Sequence, residues 1–251
     1  MKLIYAKDYQ RMSAAAARLL AAQILEKSNA VLGLATGGTP VGTYQELVCL
    51  CGEGLVSFRG VHTVNLDEYC GLSGEHPQSF RYFMNENLFS KVDVLPENTN
   101  VPDGMAKDGA AECHRYEELI SRLGPVELQV LGIGNNGHIG FNGPDQVFSK
   151  GVVYTSLTDD TVRANARFFD RVEDVPTSAY TIGIDVIMRA RRLLLLANGQ
   201  GKAEIMYKAL CGPITPAVPA SALQPHRDLT VIVDEAAGEV LKSHGCEGEV
   251  L

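Results

Sequence analysis

The chain contains 251 residues, of which 45% are hydrophobic and 21% are charged. This balance is typical of a globular protein that is long enough to build one large hydrophobic core. The formal net charge of −8 argues against an extended nucleic-acid-binding surface, which would need a basic patch. No apolar run reaches the length of a transmembrane helix, and the first residues lack the apolar core of a signal peptide. We therefore expect a cytoplasmic protein without a membrane partner.

The cysteines indicate neither a metal site nor a disulfide framework. None of the six belongs to a Cys-x-x-Cys pair, and no His or Cys residues stand at a spacing that zinc could use. In a cytoplasmic protein, reduced thiols are expected. The six are Cys49, Cys51, Cys70, Cys113, Cys211 and Cys246.

Short apolar runs alternate with helical patterns along the chain. Strands are predicted at residues 2–6, 30–35, 61–66, 126–133, 151–157, 179–184, 192–197 and 229–234. Helices are predicted at residues 8–27, through 44–50, near 79–89 and at 108–122. The runs at 192–197 and 229–234 are continuously apolar, which is typical of strands covered on both faces.

This alternation predicts an α/β fold with a single doubly wound, mostly parallel, Rossmann-like sheet and helices on both faces. We expect one domain over residues 1–251, because the chain shows no linker or repeat. In such sheets, ligands bind beyond the carboxyl ends of the strands. Functional residues should therefore follow the apolar runs directly.

A first candidate cluster follows the strand at 30–35 and consists of Thr36, Gly37, Gly38 and Thr39. Glycines let backbone N–H groups approach an anion, hydroxyl groups add donors, and the start of a helix adds its positive dipole end. The cluster predicts a phosphate-binding turn, although it is neither a Walker nor a dinucleotide motif. A tight turn that needs glycine only for its geometry explains it equally well.

A second cluster, Asp67 and Glu68, follows the strand at 61–66. Successive side chains of an extended backbone point in opposite directions, so one carboxylate should face the site and the other the protein. A carboxylate at a strand end can act as a general base. A surface turn or a helix cap would also explain the pair.

A third cluster surrounds His138, which follows the strand at 126–133. Gly137 and Gly140 leave its ring accessible, and Asn136 can accept a hydrogen bond from one ring nitrogen and so fix the tautomer. The other nitrogen would then exchange a proton with a substrate. Two cations, Arg167 and Lys202, could complete an anion site, although an arginine often only decorates a helix.

These residues, in this order, resemble the glucosamine-6-phosphate deaminase family over almost the whole chain. The resemblance is strongest in five segments: LGLATGGTPVGTY, NLDEYCGLSGEHPQSFRYFMNENLF, LGIGNNGHIGFNGP, DDTVRANARFF and VPASALQPH. It implies conversion of glucosamine 6-phosphate to fructose 6-phosphate and ammonia, with no redox cofactor and no catalytic metal.

The resemblance also implies a role for each cluster. The turn from Thr36 to Thr39, with Arg167 and Lys202, would hold the phosphate. His138 would assist opening of the sugar ring. Asp67 would move the C2 proton to C1, after which water would release ammonia from the C2 imine.

Two positions depart from the family pattern, which has an acid at 136 and a glutamate at 143 beside the histidine. Asn136 can still orient the imidazole through its amide. Gly143 removes a carboxylate that could carry protons, so we expect slower ring opening unless Asp145 compensates.

The resemblance bears on regulation as well. Allosteric family members carry basic side chains where this chain has Val153 and Thr155, so we expect no activation by N-acetylglucosamine 6-phosphate. A homo-oligomer is possible, and a monomer or small oligomer fits equally well.

Three alternatives stay open at this point. They are a 6-phosphogluconolactonase-like hydrolase, a sugar-phosphate sensor with little turnover, and an enzyme for galactosamine 6-phosphate.

Overall fold

A computed structural model of the protein describes residues 1–157, 169, 171 and 174–251. Its strands are β1 (Lys2–Ala6), β2 (Val31–Leu34), β3 (His62–Asn65), β4 (Asp67–Tyr69), β5 (Thr99–Asn100), β6 (Leu128–Gly132), β7 (Val152–Ser156), β8 (Ser178–Ile182), β9 (Arg192–Ala197), β10 (Leu229–Asp234) and β11 (Glu249–Val250). Its helices are α1 (Tyr9–Glu26), α2 (Gly38–Gly52), α3 (Phe80–Asn87), α4 (Gly109–Leu123), α5 (Ile184–Ile187), α6 (Ala203–Cys211) and α7 (Glu239–Ser243).

An eight-stranded sheet forms the centre of the fold, in the order β11-β1-β10-β9-β6-β2-β3-β5. Every pair of neighbours in it is parallel. The predicted α/β class is therefore confirmed. The two continuously apolar runs became β9 and β10, which are buried at almost every position, as central strands between helices are.

A second, three-stranded antiparallel sheet has the order β4-β8-β7. The runs at 151–157 and 179–184 form two of its strands, whereas we expected them in the parallel sheet. In β7 the residues alternate between more and less exposed, because one face of this sheet meets solvent. The short strand β4 begins at Asp67, so the second sheet carries one of the candidate site residues.

Some helices begin at a capping side chain, and α2, α5, α6 and α7 do not. Asp8, Ser79 and Asp108 cap α1, α3 and α4 by accepting backbone N–H groups of the first turn. In contrast, α2 begins after Gly37 without a side-chain cap. Its first N–H groups are thus left for another acceptor. Among the described residues, no helix is both long and apolar enough to cross a membrane.

Candidate active site

The carboxyl ends of β9, β6, β2 and β3 lie side by side at one edge of the parallel sheet. The segments that follow these strands carry the candidate residues. Parallel pairing therefore brings together the threonine–glycine turn, the acidic pair, the histidine loop and Lys202, as the strand-end rule requires.

The turn from Thr36 to Thr39 is open to solvent. Gly37 adopts φ +101°, a left-handed conformation that favours glycine. Gly37 and Gly38 are exposed, and a Cβ atom added to either would meet no other atom within 4 Å. A turn that served only as a packed link between strand and helix would not leave this space, so the geometry leaves room for an anion at the start of α2.

Two tyrosines hold this turn in place from behind. The Tyr44 hydroxyl donates to the Ala35 carbonyl over 2.5 Å and accepts the Ala35 N–H over 3.2 Å. The Tyr9 hydroxyl donates to the Gly38 carbonyl and accepts the Gly42 N–H, which bridges the first turn of α2. These bonds occupy inward-facing backbone groups and fix the direction of the open ones.

The loop after β9 contacts the same turn. Thr39 donates its hydroxyl hydrogen to Asn198 Oδ1 over 2.7 Å. The next residue, Gly199, donates its N–H to the buried Asp234 carboxylate at the end of β10. Lys202 follows, half-buried, and its Nζ donates to Asn135 Oδ1 over 2.6 Å. This side chain thus links the loop after β9 to the histidine loop, and burial lowers its pKa.

The histidine loop holds His138 in one tautomer. Asn136 Oδ1 lies 2.7 Å from His138 Nδ1 and also accepts the His138 backbone N–H over 3.2 Å. Because the backbone N–H can only donate, this Asn136 atom must be the amide oxygen, and Nδ1 must carry the ring proton. The Nε2 atom is left as a proton acceptor.

The charge state of His138 suits the same task. Burial and the nearby Lys202 ammonium both lower the pKa of the imidazole. The ring is therefore neutral at pH 7 and can accept a proton. The contact between Asn136 and Nδ1 is the one that the predicted orienting role of Asn136 requires, and that role stays a prediction.

Asp67 is a buried carboxyl group at the start of β4. Asp67 is only 6% exposed. In the described part of the chain, no donor forms a hydrogen bond to its carboxyl group. Burial, with a smaller contribution from Glu68, raises the pKa of Asp67 to about 8. A carboxyl group with a pKa near the working pH can both take and return a proton.

Glu68 faces the protein, as we expected of one member of the pair. Its carboxylate accepts the backbone N–H groups of Tyr69, Phe80 and Arg81 over 2.8 to 2.9 Å. It therefore supports the first turn of α3 beside the N-cap Ser79. Asp67 is the member of the pair left for chemistry.

Gly140 is the point at which the acidic strand meets the histidine loop. A Cβ atom on Gly140 would lie 2.8 Å from Thr181 Oγ1 and 3.4 Å from Asp67 Oδ2. Thr181 pairs with Asp67 across the antiparallel sheet and accepts the Phe141 N–H over 3.1 Å. The Asp67 carboxyl group therefore lies against the loop that carries His138.

Aromatic packing fixes this junction. The Phe141 ring lies 5.3 Å from the Tyr69 ring and stacks on the Phe80 ring at 5.7 Å, between centroids. Asn142 donates to the carbonyls of Ile139 and Ile182 and so ties the loop to β8. The relative position of Asp67 and His138 thus depends on residues from three separate segments.

The remaining predicted residues are Gly143, Asp145 and Arg167. Gly143 has open space around the position of a Cβ atom and no left-handed φ. Asp145 is exposed, and its carboxylate accepts the N–H of the adjacent Gln146; no bond to His138 is found in the described residues. Arg167 lies outside the described residues.

Sequence reasoning missed three residues of the site. Asn198 and Asn135 follow predicted strands, so the strand-end rule could have found them. Thr181 stands inside a strand of the second sheet and carries no local signal, since only strand pairing brings it to Asp67.

Residues 7–232 match a family described as Glucosamine-6-phosphate isomerases/6-phosphogluconolactonase. A glucosamine-6-phosphate deaminase of Lachnoclostridium phytofermentans is 53% identical over 232 residues, which are 92% of this chain and 98% of the relative. A glucosamine-6-phosphate deaminase of Clostridium perfringens is 49% identical over 242 residues, which are 96% of this chain and 100% of the relative.

Solved structures show the same fold. A monomeric glucosamine-6-phosphate deaminase matches with a TM-score of 0.92 and 46% identity, over 96% of this chain and 100% of that one. A 6-phosphogluconolactonase from Leishmania guyanensis matches with a TM-score of 0.75 and 22% identity, over 95% of this chain and 97% of that one. The second likeness concerns the fold alone.

Proposed function

Because the chain belongs to the family of glucosamine-6-phosphate isomerases and 6-phosphogluconolactonases, we propose that it is a glucosamine-6-phosphate deaminase. It converts glucosamine 6-phosphate and water to fructose 6-phosphate and ammonia. The observation that carries this proposal is the junction at Gly140, where the Asp67 carboxyl group and the His138 loop meet.

The phosphate is bound at the start of α2. The open N–H groups after Gly37, that of Thr39 among them, the Thr36 hydroxyl and the Lys202 ammonium supply donors of the kind that phosphate prefers. The Thr39 hydroxyl is already donated to Asn198 and fixes the turn. Arg167 is assigned to the same anion on the family resemblance alone. These phosphate contacts lie away from the reacting carbons and hold the open-chain sugar in position.

Ring opening is the task of His138. Its neutral Nε2 accepts the proton of the sugar O1 hydroxyl, while Asn136 keeps the proton on Nδ1. The imidazolium then returns the proton to O5 as the C1–O5 bond breaks. A glutamate at position 143 would help to carry this proton. With Gly143 in its place, ring opening is slower than in family members that have the glutamate.

Isomerisation and deamination are the task of Asp67. Its carboxylate takes the proton from C2 of the open chain while O1 gains a proton, which gives an enolamine. The carboxyl group then returns its proton to C1 as the amine nitrogen loses one. The resulting C2 imine adds water, and the C–N bond breaks hydrolytically to release ammonia. A base with a pKa near 8 is suited to both directions of the transfer.

A cytoplasmic location belongs to this proposal. Reduced thiols at all six cysteines are usual for a protein in such a compartment. A monomer or small oligomer without allosteric control also belongs to it. It is supported by the likeness to a monomeric deaminase and by Val153 and Thr155, which stand where allosteric family members carry cations.

An ammonia-coupled assay tests the proposal. Glucosamine 6-phosphate, galactosamine 6-phosphate and glucosamine without phosphate are compared, with Asp67→Asn as the matched control. We expect ammonia from a hexosamine 6-phosphate, weak activity without the phosphate, and loss of about 10³-fold or more in Asp67→Asn, since a general base is removed. Hydrolysis of 6-phosphogluconolactone without ammonia release would establish the lactonase alternative instead.

Gly143 favours a second candidate, a sugar-phosphate sensor with little turnover, because it lacks the carboxylate that the ring-opening step uses. Calorimetry separates the two. Tight binding of glucosamine 6-phosphate with negligible ammonia release would support the sensor and contradict the enzyme.

A further inference from the structure

Two cysteines that the proposed reaction does not use lie side by side at the end of α6. The sulfur atoms of Cys211 and Cys246 are 3.2 Å apart, although the residues are 35 positions apart in the chain. All six cysteines are described, and no other pair of them shows a sulfur–sulfur contact. Cys211 is exposed and Cys246 is half-buried, so one thiol of the pair is accessible to a reagent.

Packing that does not involve the sulfurs holds this pair together. The Tyr207 ring, one helical turn before Cys211, stacks on the His244 ring at a centroid distance of 4.1 Å. The Cys246 N–H donates to the Leu241 carbonyl, and the Cys246 carbonyl accepts the Tyr5 hydroxyl over 2.7 Å. The second cysteine is therefore fixed on its backbone opposite the end of α6.

We propose that Cys211 and Cys246 are a reversible modification site, at which low-molecular-weight disulfides convert the two thiols to an intramolecular disulfide. The exposed Cys211 thiolate attacks one sulfur of the reagent R–S–S–R, a mixed disulfide forms, and RS⁻ leaves. The Cys246 thiolate then attacks Cys211 Sγ and expels the second RS⁻. The protein loses two electrons and two protons, and the reagent is reduced to two thiols.

The surroundings of the pair set the rate of this exchange. Burial and the adjacent Cys246 thiol raise the pKa of Cys211 to about 11. Only a small fraction of Cys211 is thiolate at pH 7, so exchange is slow at that pH. As long as the pH stays below the pKa, each increase of one pH unit raises the rate of exchange roughly tenfold.

The disulfide would attach the C-terminal segment to the rest of the protein. This segment supplies β11, which pairs with β1 at the edge of the large sheet. A cross-link over 35 positions restricts the unfolded chain, so the oxidised protein should melt about 5 to 10 °C higher.

Peptide mapping tests the site. The full-length protein is incubated with glutathione disulfide at pH 8.5, its remaining thiols are alkylated, and its peptides are analysed by mass spectrometry. We expect a linked Cys211–Cys246 peptide, four alkylated thiols and a higher Tm that dithiothreitol reverses. A lasting glutathione adduct on Cys211 without the link, or cross-links at other cysteines in its place, would overturn the proposal.

Two variants serve as controls. Cys49→Ser removes an exposed cysteine elsewhere and should still form the link. Cys211→Ser should form no intramolecular disulfide and show no Tm rise on oxidation. A Tm rise in the oxidised Cys211→Ser protein would contradict the assignment. If this variant folds poorly, the peptide map of the protein without substitutions still shows whether the Cys211–Cys246 link forms.

Discussion

The imidazole ring of His138 lies so close to the backbone of Gly134 that a Cβ atom at position 134 would overlap the ring. The same glycine donates its N–H to the His138 carbonyl over 2.9 Å. Gly134 therefore supports both the main chain and the side chain of His138. Its φ is not in the left-handed region, so the requirement for glycine is one of space.

Gly134→Ala should therefore displace the imidazole without breaking the loop backbone. Displacement of a catalytic group by about 1 Å can cost about 100-fold in rate, and we expect a loss of that order in kcat for ammonia release. Gly132→Ala is the matched control, because a Cβ atom on Gly132 meets nothing within 4 Å. Equal activity of the two variants would show that Gly134 does not position His138.

Asn136 should control both the orientation and the pKa of His138. Replacing Asn136 with alanine removes the acceptor of two N–H groups, and we expect kcat to fall about 10- to 100-fold. Replacing it with aspartate keeps the acceptor and adds a negative charge beside Nδ1, which should raise the pKa of His138. NMR titration of the ring measures this directly. An unchanged titration in Asn136→Asp would contradict the contact between residue 136 and Nδ1.

The raised pKa of Asp67 predicts how activity depends on pH. The ionised carboxylate is the active base, so kcat/KM should rise with pH until it levels above about 8. A pH–rate profile of the unmodified protein shows this rise. A profile that is already flat from pH 5 would mean that Asp67 ionises at its ordinary pKa.

The same pKa predicts an opposite effect on stability. Between the ordinary value of 3.8 and about 8, the unfolded chain ionises Asp67 while the folded protein keeps the proton. Folded-state stability due to this group is thus complete below pH 4 and is lost as the pH rises to 8. The Asp67→Asn variant has no carboxyl group to ionise and does not lose this stability. The Tm of the variant minus the Tm of the unmodified protein should therefore be several degrees larger at pH 8 than at pH 4. A Tm difference that is the same at both pH values would contradict burial of the charge.

Gly143→Glu should increase turnover. Position 143 has open space and an ordinary φ, so a glutamate fits without displacing the loop. A carboxylate near His138 would assist ring opening and raise the pKa of the ring. We expect a several-fold increase in kcat for glucosamine 6-phosphate, with Gly143→Gln as the uncharged control. A rate that is unchanged or lower would place the slow step elsewhere.

N-acetylglucosamine 6-phosphate should not activate the protein. Val153 and Thr155 in β7 offer no cation to a second sugar phosphate, and the nearby Lys150 is the one basic residue of that stretch. Rates plotted against glucosamine 6-phosphate should be hyperbolic with and without the compound. Sigmoidal kinetics that the compound abolishes would be evidence of an allosteric site, and light scattering on the same sample would give the size of the assembly.

Local patterns predicted most of the parallel sheet. The apolar runs at 192–197 and 229–234 are long, β-rich and bounded by turns, and both became central strands. The assignment of 151–157 and 179–184 to that sheet was wrong. A short strand has the same local pattern in either sheet, and its partner is chosen by contacts that are distant in sequence.

The clusters at Asp67, His138 and Thr36–Thr39 were visible because the ends of parallel strands have to meet at one edge. Which chemical groups are present there, and which of them follow strands, can be read from the sequence, since both depend on residue type and local periodicity. Three further facts needed the folded chain: Glu68 and not Asp67 binds backbone N–H groups, Gly140 of the histidine loop lies beside Asp67, and Cys211 meets Cys246. Each of these depends on the packing of segments far apart in the chain, which no local pattern encodes.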